Sequence, residues 1–363
     1  MRRSLAVVLF MLSCVPPEGG ATPGGPPTPA ATLPPPAPLR SVVPNTAVSA
    51  ASMQVRGRFL FDARGEKVIL RGVNKMVIWI DVPQGKNPFP EIARTGANVT
   101  RIVWNGTGTA AALDRVLNDC VDAGMIPMVE DHDATGDLGG VARTVAYWTR
   151  PDVLAVLKRH QEYLLLNIAN EAGDESTTTD AFVRAYLVHT KTLRDAGLSL
   201  PLVIDAPDWG KNLDVLMQAA PALTAADPRH NLMFSVHPYW RYSKGATDAQ
   251  LTRKLEESVT AGIPLLVGEF SAYVTDGSSD TDSVRYKNIL AQCQRLELGW
   301  IVWEWGPGNM DESTGRSLTW MGMTDDGTFA TLKGWGKDVA LDDANAIART
   351  SRRPASITQH RPR

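Results

Sequence analysis

The chemistry-bearing residues of this chain gather at the ends of short apolar runs. LLLNIAN (164–170) is followed by Glu171, PLLVGEF (264–270) carries Glu269, and IPMVEDHD (126–133) ends in Asp131, His132 and Asp133. GWIVWEW (299–305) carries Trp303 and Glu304, and NVTRIVW (98–104) carries Arg101 and Trp104. MFSVHPY (233–239) ends in His237 and Tyr239, PLVIDAP (201–207) contains Asp205 with Trp209 just beyond it, and VILRGVN (68–74) ends in Asn74. Carboxylates set among flat aromatic rings suit hydrolysis of a glycosidic bond. One carboxyl donates a proton to the leaving oxygen; the other attacks, or activates water, at the opposite face of the sugar. The sequence has no serine nucleophile motif, no phosphate loop and no Cys/His cluster at zinc spacing. His132 with two adjacent aspartates is a sparse donor set, so neither a metal nor a cofactor is expected.

The elements that position these residues are legible in the same runs, of which there are eight. They are near-continuously apolar, as strands buried on both faces are. Helical periodicity fills the gaps: Leu113, Val116, Leu117, Cys120 and Val121 share one stripe, and Phe182, Ala185, Tyr186, His189 and Leu193 another. Gly96, Gly124, Gly197, Gly262 and Gly299 each stand between a helix and a strand, where helix ends favour positive φ. Eight βα units predict an α/β fold, a (β/α)8 TIM barrel. A doubly wound open sheet is the alternative, but it would more often carry a Gly-rich loop after the first strand. Segments 58–61 and 67–70 flank Asp62–Gly65 and predict an N-terminal β-hairpin under the barrel.

In such a barrel the active site lies at the C-terminal ends of the strands. Glu171 then ends strand four and Glu269 strand seven, facing each other across the mouth. Asp131, Asp133 and Glu304 occupy comparable positions, so the position of the runs leaves the choice of pair open.

The remaining sequence bounds partners and location. Net charge is −2 with pI about 6.3, which gives no basic field for nucleic acid. Residues 1–14 combine a basic start, an apolar run from Leu5 to Leu12 and Cys14, the layout of an export signal. Cys14 lipidation and ordinary cleavage are the two alternatives, so the protein is expected to be secreted, or lipid-anchored with Cys14 attached to the membrane of a bacterial cell envelope. Residues 15–52 are rich in Pro, Ala and Gly and predict a disordered linker. The catalytic domain is expected over 53–340, followed by a tail over 341–363 whose basic, Pro-containing end, Ser351 to Arg363, is expected to be disordered. Cys120 and Cys293 are expected to be buried thiols, Trp148, Trp320 and Trp335 packing residues, and the protein a monomer.

From about Arg71 to Asn309 the sequence resembles glycoside hydrolase family 5, a retaining barrel family, and within it the bacterial endo-β-1,4-mannanase branch. LLLNIANEAG resembles the family's Asn-Glu acid/base motif, and LLVGEF its nucleophile motif. NVTRIVW, SVHPY and WEWGPGN resemble its Arg, His/Tyr and strand-eight Trp motifs, while VEDHDATG and VIDAPDWG are similar to the mannanase branch. The resemblance implies Glu171 as general acid and then base, and Glu269 as nucleophile. It implies that Arg101 and Tyr239 orient Glu269, that His237 tunes Glu171, and that Asn170 binds the sugar 2-hydroxyl. Trp303 would floor the cleavage subsite, with His132 and Trp209 as further substrate-binding residues. Ala172, Pro238, Ser271–Tyr273 and Glu304 depart from the branch pattern; they leave the sugar preference more open than the chemistry. The resulting expectation is a retaining endo-glycosidase acting on a β-linked polysaccharide of the mannan type. An endo-β-1,4-glucanase is the alternative of the same family, and a non-catalytic polysaccharide-binding surface lipoprotein the alternative of another class.

Overall fold

The computed structural model describes residues 52–273, 285–308, 310–311, 316–317 and 319–359. The expected export segment, Cys14 and all of the expected linker but Ser52 lie outside the described residues.

Eight parallel strands close into a barrel in chain order: β1 (Arg71–Lys75), β2 (Val99–Trp104), β3 (Ile126–Asp131), β4 (Leu165–Asn167), β5 (Leu202–Asp205), β6 (Leu232–Val236), β7 (Leu265–Val267) and β8 (Gly299–Val302). Closure is made by β8 against β1, with Trp300 opposite Arg71 and Val302 opposite Val73. Each strand coincides with one of the eight apolar runs, with β1 reaching one residue past its run to Lys75 and β6 starting one residue before its run at Leu232. Helices between them start on side-chain caps: Thr109, Thr178, Asn212 and Thr247 each accept a bond from a backbone N–H three residues on. The first predicted stripe faces inward, with Leu113, Val116, Leu117, Cys120 and Val121 all buried; of the second, Phe182, Tyr186 and Leu193 are buried and Ala185 and His189 half-buried.

Strand alternation sorts side chains into two cores. One parity of residues faces the helices, as Ile102, Trp104, Val129, Leu166, Ile204, Phe234, Val236 and Val267 do. The other faces the barrel interior, where Val99, Ile126, Met128, Leu165, Val203, Met233, Leu266 and Ile301 form the lower layer. One step further up the same strands, the inward positions become polar: Asn74, Arg101, Glu130, Asn167, Asp205 and Ser235, all buried. Apolar packing at the bottom thus supports a polar floor at the top.

The predicted hairpin is present as Phe59–Phe61 paired antiparallel with Lys67–Val68, and Gln54–Arg56 adds a third strand. Leu60 and Val68 join the lower barrel core, so this sheet closes the bottom. Cys120 and Cys293 are buried free thiols.

Two expectations need correction. The segment beyond Ser351 does not stay loose through residue 359. Ile357 packs into the lower core, Asn98 donates to the Arg352 carbonyl at 2.8 Å, and Arg353 donates to the Ala93 and Ala97 carbonyls at 2.6 and 3.0 Å. The basic, Pro-containing composition hid one apolar anchor and two backbone-capping contacts; residues 360–363 lie outside the described residues. Gly299 is also not a helix cap. Glu297 takes the left-handed position at φ 53°, and Gly299 begins β8, where an added Cβ would come within 3.2 Å of Leu70 Cβ.

Candidate active site

Arg101 on β2 is the hub of the polar floor. Its fully buried guanidinium donates to Glu269 Oε1 at 2.7 Å and Asn74 Oδ1 at 3.0 Å through Nη1, and to Asn167 Oδ1 at 2.9 Å through Nε. Nη2 donates to Asn170 Oδ1 at 2.7 Å and Asp205 Oδ2 at 3.2 Å. A guanidinium that uses its donors in fixed directions determines the orientation of each partner. Burial works against its charge, but Glu130, Asp205 and Glu269 outweigh burial and hold Arg101 above its ordinary pKa.

Glu269 follows β7 and is nearly fully buried. Gly268 before it permits the approach, since a Cβ there would lie 2.2 Å from Ser235 Oγ and 2.8 Å from His237 Nε2. Glu269 Oε1 is held by Arg101, and Oε2 accepts from the Tyr239 hydroxyl at 3.0 Å. Burial raises the Glu269 pKa and Glu171 adds to the rise, while His237 and Arg101 oppose it. Burial, then Glu269 and Glu171, hold the Tyr239 phenol well above its usual value, so it remains a donor.

Glu171 stands just past β4 with a left-handed backbone, φ 46°. Three backbone contacts fix that turn: its N–H donates to Asp205 Oδ2 at 3.2 Å, its carbonyl accepts from Gly136 at 3.0 Å, and Ala172 bridges Thr135. Its Oε1 lies 2.7 Å from His237 Nδ1. His237 is fully buried. Burial lowers its pKa, but Glu269, Asp205 and Glu171 more than compensate, so its pKa lies above that of a free imidazole. Ligand-type atoms of Glu171, His237 and Glu269 all lie within 4.8 Å of one another. Such spacing also suits a cation in principle. Here both Glu269 oxygens are already engaged, and Arg101 supplies positive charge 2.7 Å away.

Trp303 is mostly buried at the end of β8, joined to Glu304 by a cis peptide, and clusters with Val103 and Met321. His132 stacks on it at 6.1 Å and 21° between rings. Trp79, in the short helix Val77–Ile80 after β1, meets His132 edge-on at 5.8 Å and is 39 % exposed. Trp209, also 39 % exposed, stands at the rim with its indole against Gly136 and the Lys211 ammonium 5.3 Å from the ring centre.

The structure therefore brings Arg101, His132, Asn170, Glu171, His237, Tyr239, Glu269 and Trp303 into one cluster and places Trp209 at its edge. It also separates the rival carboxylates. Asp131 has the opposite strand parity to Glu130, and Asp133 lies in the 3-10 turn past β3. Asp131 Oδ1 accepts from the Asp133 N–H at 3.0 Å, and Asp133 Oδ2 from the Gly106 N–H at 2.9 Å. Burial, with Asp133 and Glu130 nearby, raises the Asp131 pKa to about 7. Glu304 is fully buried, its N–H donating to the Met321 carbonyl at 3.2 Å and its carbonyl accepting from the Met323 N–H at 2.9 Å.

Residues 61–309 match the family described as cellulase (glycosyl hydrolase family 5). The chain belongs to this family. The family 5 chain is 30 % identical over 314 residues to a mannan endo-1,4-β-mannosidase of Streptomyces lividans, covering 84 % of this chain and 77 % of that one. It is 30 % identical over 320 residues to a mannan endo-1,4-β-mannosidase of Salipaludibacillus agaradhaerens, covering 85 % and 96 %. In structure it is similar to the Thermomonospora fusca β-mannanase in its mannotriose complex, with TM-score 0.73 and 29 % identity over 85 % of this chain and all of that one.

Reading strand ends alone left out Trp79, five residues beyond Asn74, and gave no role to Glu130, Asp205 or Asn74. Two-residue alternation was the available signal for Glu130: within VEDHD it shares a face with His132, and Asp131 does not.

Proposed function

We propose that this family 5 enzyme is a retaining endo-β-1,4-mannanase. The observation that carries the mechanism is the separation of the two carboxylates: their nearest oxygens lie within 4.8 Å. Retaining glycosidases hold the pair about 5–5.5 Å apart, and inverting ones about 6.5–9.5 Å, to leave room for a water. Glu269, fixed by Arg101 and Tyr239, attacks the anomeric carbon. Glu171, more open to the cleft and touched by His237, protonates the leaving oxygen and then draws the proton from the incoming water. The different surroundings of the two glutamates support these separate roles. Asn170, His132 and Trp303 line the sugar that is cleaved, and Trp209 contacts the chain at the rim.

Mannan is the substrate favoured by the names of the two Streptomyces and Salipaludibacillus relatives. Purified enzyme is expected to release short oligosaccharides from linear mannan and little from carboxymethylcellulose. The reverse pattern would make it an endoglucanase. The apolar run before Cys14 supports export to the cell envelope, and loss of lipid labelling in Cys14→Ala is the outcome expected of an anchored form.

A further inference from the structure

We propose that Glu130 is a positioning residue that keeps His132 doubly protonated, so that His132 Nε2 and Asn170 Nδ2 form a two-donor seat for a single sugar oxygen. This rests on the reading of the cleft as a glycan-binding active site.

Glu130 lies on the inward face of β3, and His132 stands two residues on, at the start of the 3-10 turn just past the strand. Glu130 is fully buried; its Oε1 lies 2.8 Å from His132 Nδ1 and 3.8 Å from Arg101 Nη1. Its Oε2 is buried with no hydrogen bond. Among the described residues the one side-chain hydrogen bond to this carboxylate involves His132. A carboxylate so thinly supported favours a cation at its remaining partner. The imidazole cannot turn away, because Trp303 stacks on it and Trp79 meets it edge-on.

Asn170 is fixed just as firmly. Its Oδ1 accepts from Arg101, which can only donate, so the amide nitrogen must face the other way. One amide hydrogen goes to Thr135 Oγ1 at 2.9 Å; the nitrogen lies 3.5 Å from His132 Nε2. With Nδ1 turned to Glu130, a protonated Nε2 leaves two donors facing one another and no acceptor between them. A sugar hydroxyl oxygen beside both would accept from both.

The charged groups facing His132 are Glu130 at the end of β3, Asp131 beside it, Arg101 from β2 and Glu269 just past β7. Burial and Arg101 disfavour the cation, but Glu130 and Glu269 outweigh them and raise the His132 pKa to about 9. The seat therefore persists through neutral pH, where an unassisted imidazole of pKa about 6.5 would have lost a proton.

The test is nitrogen NMR of histidine-labelled enzyme, with steady-state kinetics on mannohexaose for wild type and Glu130→Gln. Wild type is expected to show both His132 ring nitrogens protonated at pH 8, with Nε2 shifting on mannohexaose binding. Glu130→Gln is expected to move the titration down towards about 6.5. Its KM should rise about tenfold or more at pH 8, the scale of losing a charged hydrogen bond, and stay near wild type at pH 5.5. A singly protonated His132 in wild type at pH 8 would overturn the proposal, and this readout does not depend on the variant folding. Equal KM increases at both pH values would also overturn it. Wild type that is inactive on mannan yet doubly protonated at His132 would reject the mannanase reading and leave the Glu130–His132 pairing standing.

Discussion

His237 Nδ1 lies 2.7 Å from Glu171 Oε1, and the same nitrogen is 3.6 Å from Glu269 Oε1. One buried imidazole therefore sits against both glutamates. Its positive charge is the largest of three, with those of Arg101 and His132, that lower the Glu269 pKa against burial. His237→Asn removes that charge, so the Glu269 pKa should rise. Since Glu269 must be ionised to attack, the acidic limb of the kcat/KM profile should move to higher pH, with activity below the limb falling about tenfold per pH unit. An unmoved limb would show that His237 does not bias Glu269.

Glu171→Ala and Glu269→Ala should each lower kcat on mannan by at least about 10²–10⁴-fold, the scale of a positioned proton-transfer group. The two should differ on an aryl mannoside with a good leaving group. Glu171→Ala should still form the glycosyl-enzyme there, because departure needs no proton, whereas Glu269→Ala should not. Burst kinetics separates the two cases; identical behaviour would contradict the division of labour.

The close carboxylates make a stereochemical prediction. Proton NMR during early hydrolysis of mannohexaose should show the β-anomer of the new reducing end first, as two displacements require. An initial α-anomer would exclude Glu269 as nucleophile.

Arg101→Lys keeps the charge but cannot reproduce bonds to Asn74, Asn167, Asn170, Asp205 and Glu269. Activity should fall at least about 10²-fold through misplaced partners. Stability should also fall, by about 1–3 kcal/mol for each buried acceptor left without a donor. Urea melts with parallel assays check both.

Away from the cleft, Arg194 clamps Asp227 at 2.8 and 3.0 Å and also donates to the carbonyls of Leu198 and Leu200. Burial pushes the Asp227 pKa up, but Arg194 and backbone N–H groups bring it below the ordinary value. The pair's stabilisation is therefore present above the unfolded pKa of about 3.9 and is lost as pH falls through the lower folded value. Arg194→Ala should cost about 3–5 kcal/mol at pH 7, and its deficit against wild type should shrink below about pH 4. Melting at pH 7 and pH 3 tests this.

The order of apolar runs was enough to lay out the barrel, because a strand buried on both faces must be apolar along its length whatever it packs against. The ends of those runs also named most of the site: Arg101, Asn170, Glu171, His237, Tyr239 and Glu269 are all there. Composition misled at Ser351–Gln359, where one buried isoleucine and an arginine that caps carbonyls outweigh a polar, basic stretch.

Local sequence thus specified which residues reach the barrel mouth, since strand and helix periodicities are properties of neighbouring residues. It could not rank Glu171 and Glu269 above Asp131, Asp133 and Glu304 without the family resemblance, because every one of them ends a run. Three-dimensional closure made that distinction physical: it turned Asp131 to the outer face of β3, tied Asp133 to the Gly106 N–H and buried Glu304 fully. It also brought Glu171 and Glu269 within 4.8 Å around a shared histidine. Arg101, Glu130 and Asp205 acquired their roles in the same way, through contacts between strands 29 to 168 residues apart that no local pattern encodes.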